Sequence, residues 1–164
     1  MNRMRLTSRH PYEASPAAVW AMFIDQEFRD RVCAATGALE WTVDIDADGQ
    51  GGTVSISRTL PVGASGAVRT VVGDTVTVVQ TEAWGAEDDG GSRCAQVRLE
   101  VVGQPASMRA TSVLSPSESG ATMAVDGDLE VRVALIGRRL ERELAAAVSA
   151  GLDKEHQIGR TYLA

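Results

Sequence analysis

Apolar and polar residues alternate along most of this chain, and the places where the period changes divide it into elements. Residues 3 to 12 set Met4, Leu6, Ser8, His10 and Tyr12 on one side against Arg3, Arg5, Thr7 and Arg9 on the other, which predicts a first strand. "SPAAVWAMFID" then reads as a helix, with Ser15 as N-cap, Pro16 at the first helical position, and Val19, Trp20, Met22 and Phe23 as its buried stripe. A second short helix is predicted from Gln26 to about Ala35, with Phe28 and Val32 inward and Gly37 as a left-handed cap.

Period two resumes at residue 39. Leu39, Trp41, Val43 and Ile45 alternate with Glu40, Thr42, Asp44 and Asp46, and "DGQGG" supplies a turn into a strand whose apolar-side series is Val54, Ile56, Arg58 and Leu60. "PVGASGAVRTVVG" interrupts as a loop with one helical turn. Strands follow at 74–84, at about Cys94 to Val102, at 107–115 and at 121–133, separated by "GAEDDGG", "GQPA" and "PSESG". From about Leu135 to Leu163, Ile136, Leu140, Leu144, Val148 and Leu152 recur at helical spacing. At 1.5 Å per residue that is a helix of roughly 40 Å.

Six consecutive antiparallel strands make one twisted sheet whose apolar face must be covered, and the long terminal helix is the element large enough to cover it. Function is expected in the gap between the two.

Composition narrows the partners. The chain has 164 residues, 44% apolar and 23% charged, as for one packed domain spanning 1–164. Its net charge is −6 and Lys154 is its one lysine, the arginines being scattered, so nucleic-acid phosphates are not the expected partner. Arg138 and Arg139 are diluted by Glu141 and Glu143, which argues against a polybasic membrane patch. No apolar run reaches eighteen residues and "MNRMRLTSRHPY" lacks a signal-peptide core, so stable membrane insertion is not expected and the expected compartment is the cytoplasm. Cys33 and Cys94 lack CxxC spacing and read as two small buried hydrophobes. The sequence sets no oligomeric state.

The element order, with "ASPAAVWAMFIDQEF" after the first strand and "VDGDLEVRVALIGRRLERELAAAVSAGL" entering the last helix, resembles the helix-grip superfamily (START-like, or SRPBCC). That superfamily includes START lipid-transfer domains, the birch-pollen allergen class and polyketide cyclases. More narrowly, "SRHPYEASPAAVWAMFIDQEFRDRVCAATGA" and "VGDTVTVVQTEAWG" look like an uncharacterised bacterial branch, domain-of-unknown-function family 2505. The resemblance covers nearly the whole chain. It implies an α+β fold, a seven-stranded curved antiparallel sheet around a C-terminal helix with two short helices between the first two strands. It also implies a hydrophobic cavity that commonly holds a lipid, polyketide or similar molecule, but it supplies no catalytic residues.

Most familiar chemistry is missing from the sequence. Asp44, Asp46, Asp48 and Gly49 match the first half of a calcium-binding EF-hand loop, but Ser55 stands where the bidentate Glu is required and the flanks read as strands. "DKEH", Asp153 to His156, lacks HExxH spacing and reads as a solvated helix surface. Nucleophile elbows, phosphate-binding glycine loops and cofactor motifs are absent, so no cofactor and no metal is expected.

What remains is polar residues on apolar faces: Ser8, His10, Arg58, Gln80 and Glu82. In "TVTVVQTEAW" a regular register carries the inward face from Val76 and Val78 through Gln80, Glu82 and Trp84, whereas a bulge at Val78 and Val79 would expel Glu82 to water. Counting back from "GAEDDGG" puts Glu82 opposite about Ala95, level with Leu114, Met123 and His10, which would make Glu82 and His10 an acid and base pair across the cavity. The same counting pairs Arg58 near Val76, roughly 20 Å along the strand from Glu82. There it either snorkels to solvent or meets the head of an amphipathic ligand.

The leading expectation is a binding or transfer protein for a small apolar ligand. Val76, Val78, Leu129, Val131, Leu144, Val148 and Leu152 would line its pocket with Trp84 and Arg58, and His10, Gln80 and Glu82 would orient a polar group. Gly151 either leaves room there or permits a close helix-to-sheet contact. A cyclase or dehydratase using His10 and Glu82, and a regulatory interaction module with a filled cavity, are the alternatives.

Overall fold

The computed structural model describes residues 2–62, 69–70 and 73–164. In chain order these form β1 (Asn2–Tyr12), α1 (Pro16–Phe23), α2 (Gln26–Ala35), β2 (Glu40–Asp48), β3 (Gly51–Pro61), β4 (Thr75–Trp84), β5 (Arg93–Val101), β6 (Ala106–Ser117), β7 (Gly120–Val131) and α3 (Gly137–Leu163). Most of the interrupting segment "PVGASGAVRTVVG" lies outside the described residues. The seven strands form one antiparallel sheet in the order β1-β7-β6-β5-β4-β3-β2.

Local chemistry accounts for the helices. The Ser15 hydroxyl accepts from the Ala18 amide at 3.1 Å, and Pro16 gives up no hydrogen bond at the start of α1. Asp25 caps α2 by accepting from Glu27 N, and Gly37 beyond its end takes φ +86°, a conformation that favours glycine. The last helix begins at Gly137 rather than Leu135. Leu135 has φ +69° and is fully exposed, at the corner where the chain leaves the sheet.

Helix α3 lies across β1 and β7, and α2 packs against both α3 and the sheet. The core is therefore divided. One cluster joins α1 and α2 to Tyr12, Trp84, Leu114 and Met123; another joins Met108, Leu129 and Val131 to Leu140 and its neighbours on α3. A third sets Cys33 of α2 on Val54 and Ile56. Two apolar expectations fail at the margins. Leu39 precedes β2 and is 63% exposed, and Cys94 is on the outward face of β5, flanked by buried Arg93 and Ala95.

Candidate functional site

Strand β4 pairs with β3 without a break, from Gly52 opposite Trp84 to Pro61 opposite Thr75. No bulge intervenes at Val78 and Val79, so parity carries Glu82 inward, where it is 5% exposed. Its partner comes from α2. Phe28, Arg29, Val32 and Cys33 form the buried stripe of that helix, and Arg29 is 3% exposed. Arg29 Nη1 and Nη2 donate to Glu82 Oε2 and Oε1 at 3.0 and 2.8 Å, a two-pronged ion pair. Arg29 Nε donates to the Phe23 carbonyl at 2.7 Å, fixing the guanidinium beside the Phe23 ring.

Two further donors complete the carboxylate. Trp84 Nε1 donates to Oε1 at 2.7 Å and Gln80 Nε2 to Oε2 at 2.5 Å, so each oxygen of Glu82 accepts two hydrogen bonds. Burial alone would raise the Glu82 carboxyl, but the Arg29 charge and these bonds outweigh it and hold the group below the usual carboxylate value. A carboxylate saturated with hydrogen bonds and held below its usual value is a poor proton acceptor.

The expected level for Glu82 is corrected by two residues. Glu82 pairs with Val97 and Trp84 with Ala95, because the hairpin turns at Asp88 to Gly91, late in the 85–92 connection. Val97 continues through Ala110 and Gly127 to Leu6, whereas His10 stands opposite Met123 and Leu114. His10 instead contacts α3: its Nε2 is 3.0 Å from Asp153 Oδ1 and its ring is 4.7 Å from that of His156. His156 Nε2 in turn donates to the Pro11 carbonyl at 2.7 Å. The pairing of His10 with Glu82 is thus not formed, and "DKEH" is a solvated surface only in part: Asp153 and Lys154 are exposed, while Glu155 and His156 are half-buried.

Arg58 is also corrected by two residues. It pairs with Val78, since the connection closes with Val62 N donating to Asp74 O. From there it reaches diagonally to Gln80, where Nη2 donates to Oε1. The chain of bonds runs Arg58 to Gln80 to Glu82 to Arg29, and Arg58 Nε is buried without a partner.

Between this network, the sheet and α3 lies a cavity of about 510 Å³. Its sheet wall includes Val78, Val97, Leu99, Met108, Val125 and Leu129, and its helix wall Leu144, Val148, Gly151 and Leu152. Trp84, Gln80, Glu82 and Arg58 also line it, as does Glu155, one turn beyond Leu152 on α3. Burial pushes the Glu155 carboxyl above its usual value; the Glu82 charge adds to this, while Arg29, Arg58 and His10 oppose it. Two expected lining residues lie outside. Val131 is 2% exposed inside the Leu140 cluster, and Val76 stands opposite Leu60 at the start of β4. A Cβ on Gly151 would meet nothing within 4 Å, so this glycine leaves room; the close contact is at Gly159, whose Cβ would lie 2.8 Å from Tyr12 Cε1.

Arg29 and Glu155 were not among the sequence candidates. Each is spaced three or four residues from apolar members of its helix stripe, which was the available signal. Among the described residues no group of His, Cys, Asp and Glu is placed to hold a metal.

A curved seven-stranded sheet closed over a long helix, with a cavity between them, defines a helix-grip domain. Residues 7–163 match the family model described as "Protein of unknown function (DUF2505)", and the chain belongs to that family. Similar solved structures include TTHA0849 from Thermus thermophilus, with TM-score 0.62 and 11% identity over 98% of this chain and 99% of that one. The Zhui aromatase/cyclase from Streptomyces sp. R1128 has TM-score 0.61 and 11% identity, over 99% and 93%. Ara h 8.0201 has TM-score 0.57 and 12% identity, over 99% and 98%. At these identities the likeness is one of fold. A search of curated proteins finds no match. No helix among the described residues is long and apolar enough to cross a membrane.

Proposed function

We propose that this protein binds and carries a small, largely apolar molecule in the cavity between sheet and α3. The observation that supports it most is the cavity itself, about 510 Å³ with aliphatic side chains on both walls. That volume lies within the roughly 300–1,000 Å³ typical of small-molecule sites. A space of this size argues against an interaction module with a filled core. The enzyme alternative loses its pair, because Glu82 is saturated by four hydrogen bonds and His10 is engaged with Asp153. Val78, Leu129, Leu144, Val148 and Leu152 would contact the apolar body of the ligand, and Gln80 and Arg58 its polar part. The reading places the protein in the cytoplasm, where the free Cys33 and Cys94 would stay reduced.

Native mass spectrometry of protein purified without detergent tests this directly. The expected result is an added mass that is lost on denaturation and is identified as a lipid, polyketide or similar molecule. Repeated absence of an adduct, together with no binding of the neutral apolar dye N-phenyl-1-naphthylamine, would overturn the reading.

A further inference from the structure

The polar end of the cavity carries two groups that the protein leaves incompletely satisfied. Glu82 neutralises Arg29, and its oxygens have no bonding capacity to spare. Arg58 spends Nη2 on the neutral Gln80 amide and leaves Nε buried and unpaired. Glu155 projects from the facing helix and makes no hydrogen bond or ion pair with any described residue, so Arg58 and Glu155 stand on the cavity wall without touching. Burying a guanidinium N–H unpaired is costly, and a ligand acceptor placed there recovers that cost.

We propose that the occupant is an amphipathic carboxylic acid, with its carboxylate between Arg58 and Glu155 and its chain along Val78, Leu129 and Val148. The proposal rests on the carrier reading above and specifies the head group. Arg58 offers N–H donors and no acceptor. Glu155 in its neutral form offers an O–H, so both walls present donors to one acceptor. A carboxylate also supplies the negative charge that Arg58 lacks, whereas an ammonium head would meet like charge.

Glu155 makes this arrangement pH-sensitive. The charged or titratable groups around it are Arg29 and Cys33 on α2, Arg58 on β3, Glu82 on β4, and His10 and Tyr12 on β1, with Asp153, Lys154 and His156 beside it on α3. Burial favours its neutral form, and a bound carboxylate favours it further. As pH rises and Glu155 ionises, it repels the head, so affinity for an anionic ligand falls.

The test is displacement of N-phenyl-1-naphthylamine by dodecanoate, dodecan-1-ol and dodecylamine. Dodecanoate is expected to bind about tenfold to a hundredfold more tightly than the alcohol, the range of one or two charge-assisted hydrogen bonds. Arg58→Met should abolish that preference while retaining binding of the alcohol, and Arg58→Lys should retain part of it. Glu155→Gln, which keeps a neutral donor, should flatten the fall in dodecanoate affinity from mildly acidic to mildly alkaline pH. Equal binding of dodecanoate and dodecan-1-ol to the native protein, or tighter binding of the amine, overturns this proposal and leaves the carrier reading intact. Binding of none of the three, nor of the dye, overturns both. The three-probe comparison needs no variant, so it decides the matter even where Arg58→Met fails to fold.

Discussion

Removing both members of the Arg29–Glu82 pair should destabilise the fold far less than the sum of the two single removals. Each group is at most 5% exposed, so a single substitution strands a charge in a site built for its opposite. Breaking a buried pair in this way costs about 3–5 kcal/mol. For a chain of this size each kcal/mol moves the melting temperature by about 2–4 °C, so Glu82→Gln should lower it by roughly 6–20 °C. Arg29→Met should act similarly. In the double variant Arg29→Met with Glu82→Leu both charges are gone, but Gln80 Nε2 and Trp84 Nε1 lose their acceptor, leaving a deficit of about 1–3 kcal/mol for each N–H that finds no new partner. The double variant should therefore melt well above the additive expectation. Thermal or urea unfolding followed by circular dichroism reads this. The pH dependence has a fixed sign: the Glu82 carboxyl is held below its ordinary value, so its contribution is complete above the unfolded-state pKa. It is lost as pH falls through the folded value, so native protein and Glu82→Gln should converge in acid. Additive single effects, or a Glu82→Gln melt within about 2 °C of the native protein at neutral pH, would refute the reasoning.

The two glycines of α3 should respond in opposite directions. Gly151→Ala should stabilise by about 0.5–1 kcal/mol because the helix gains propensity and the new methyl meets nothing. Gly159→Ala should destabilise by about 1–3 kcal/mol despite the same gain, because Tyr12 Cε1 and Met22 Cε stand 2.8 and 3.0 Å from the new atom; paired thermal melts compare them. Glu155→Gln should stabilise the protein at alkaline pH and change little in acid. The Glu155 carboxyl is raised, so the native state holds its proton longer than the unfolded chain and loses stability as pH rises from the unfolded value through the folded one. A melting temperature difference that does not grow with pH would contradict that assignment.

The fold was legible because one face of each strand is buried and period two records which. Parity is also why Glu82 was placed inward correctly. The neighbours of Glu82 and Arg58 were nevertheless misplaced, each by two residues. A shift of two leaves every side chain on its proper face, so alternation cannot detect it, yet it moves a residue about 7 Å along its partner. That distance brought Arg58 into the network and took His10 out of it. Arg29 was hidden for another reason: its partner lies 53 positions later in the chain, on a strand brought beneath α2 by the fold. Glu155 lies on the Leu144, Val148 and Leu152 stripe, but its charged neighbours Asp153 and Lys154 gave it the look of a surface residue. The cavity volume itself depends on how far α3 stands from the sheet, and Gly151 is its one visible trace in the helix sequence.

The corrected register gives Glu82 a part that an acid-base reading would miss. Because Glu82 accepts from the Gln80 NH₂, the Gln80 carbonyl is turned the other way, where it accepts from Arg58 Nη2. An amide has one orientation that satisfies both neighbours, so the buried carboxylate sets the amide, and the amide sets the guanidinium at the cavity wall. With Gln at position 82 a second amide faces Gln80, both can rotate, and Arg58 loses its fixed acceptor. Glu82→Gln should therefore weaken the proposed preference for a carboxylate head even in molecules that remain folded, although Glu82 has no bond left to give a ligand. The effect of Arg58→Met on that preference should be largely absent in the Glu82→Gln background, since both substitutions act on the same guanidinium.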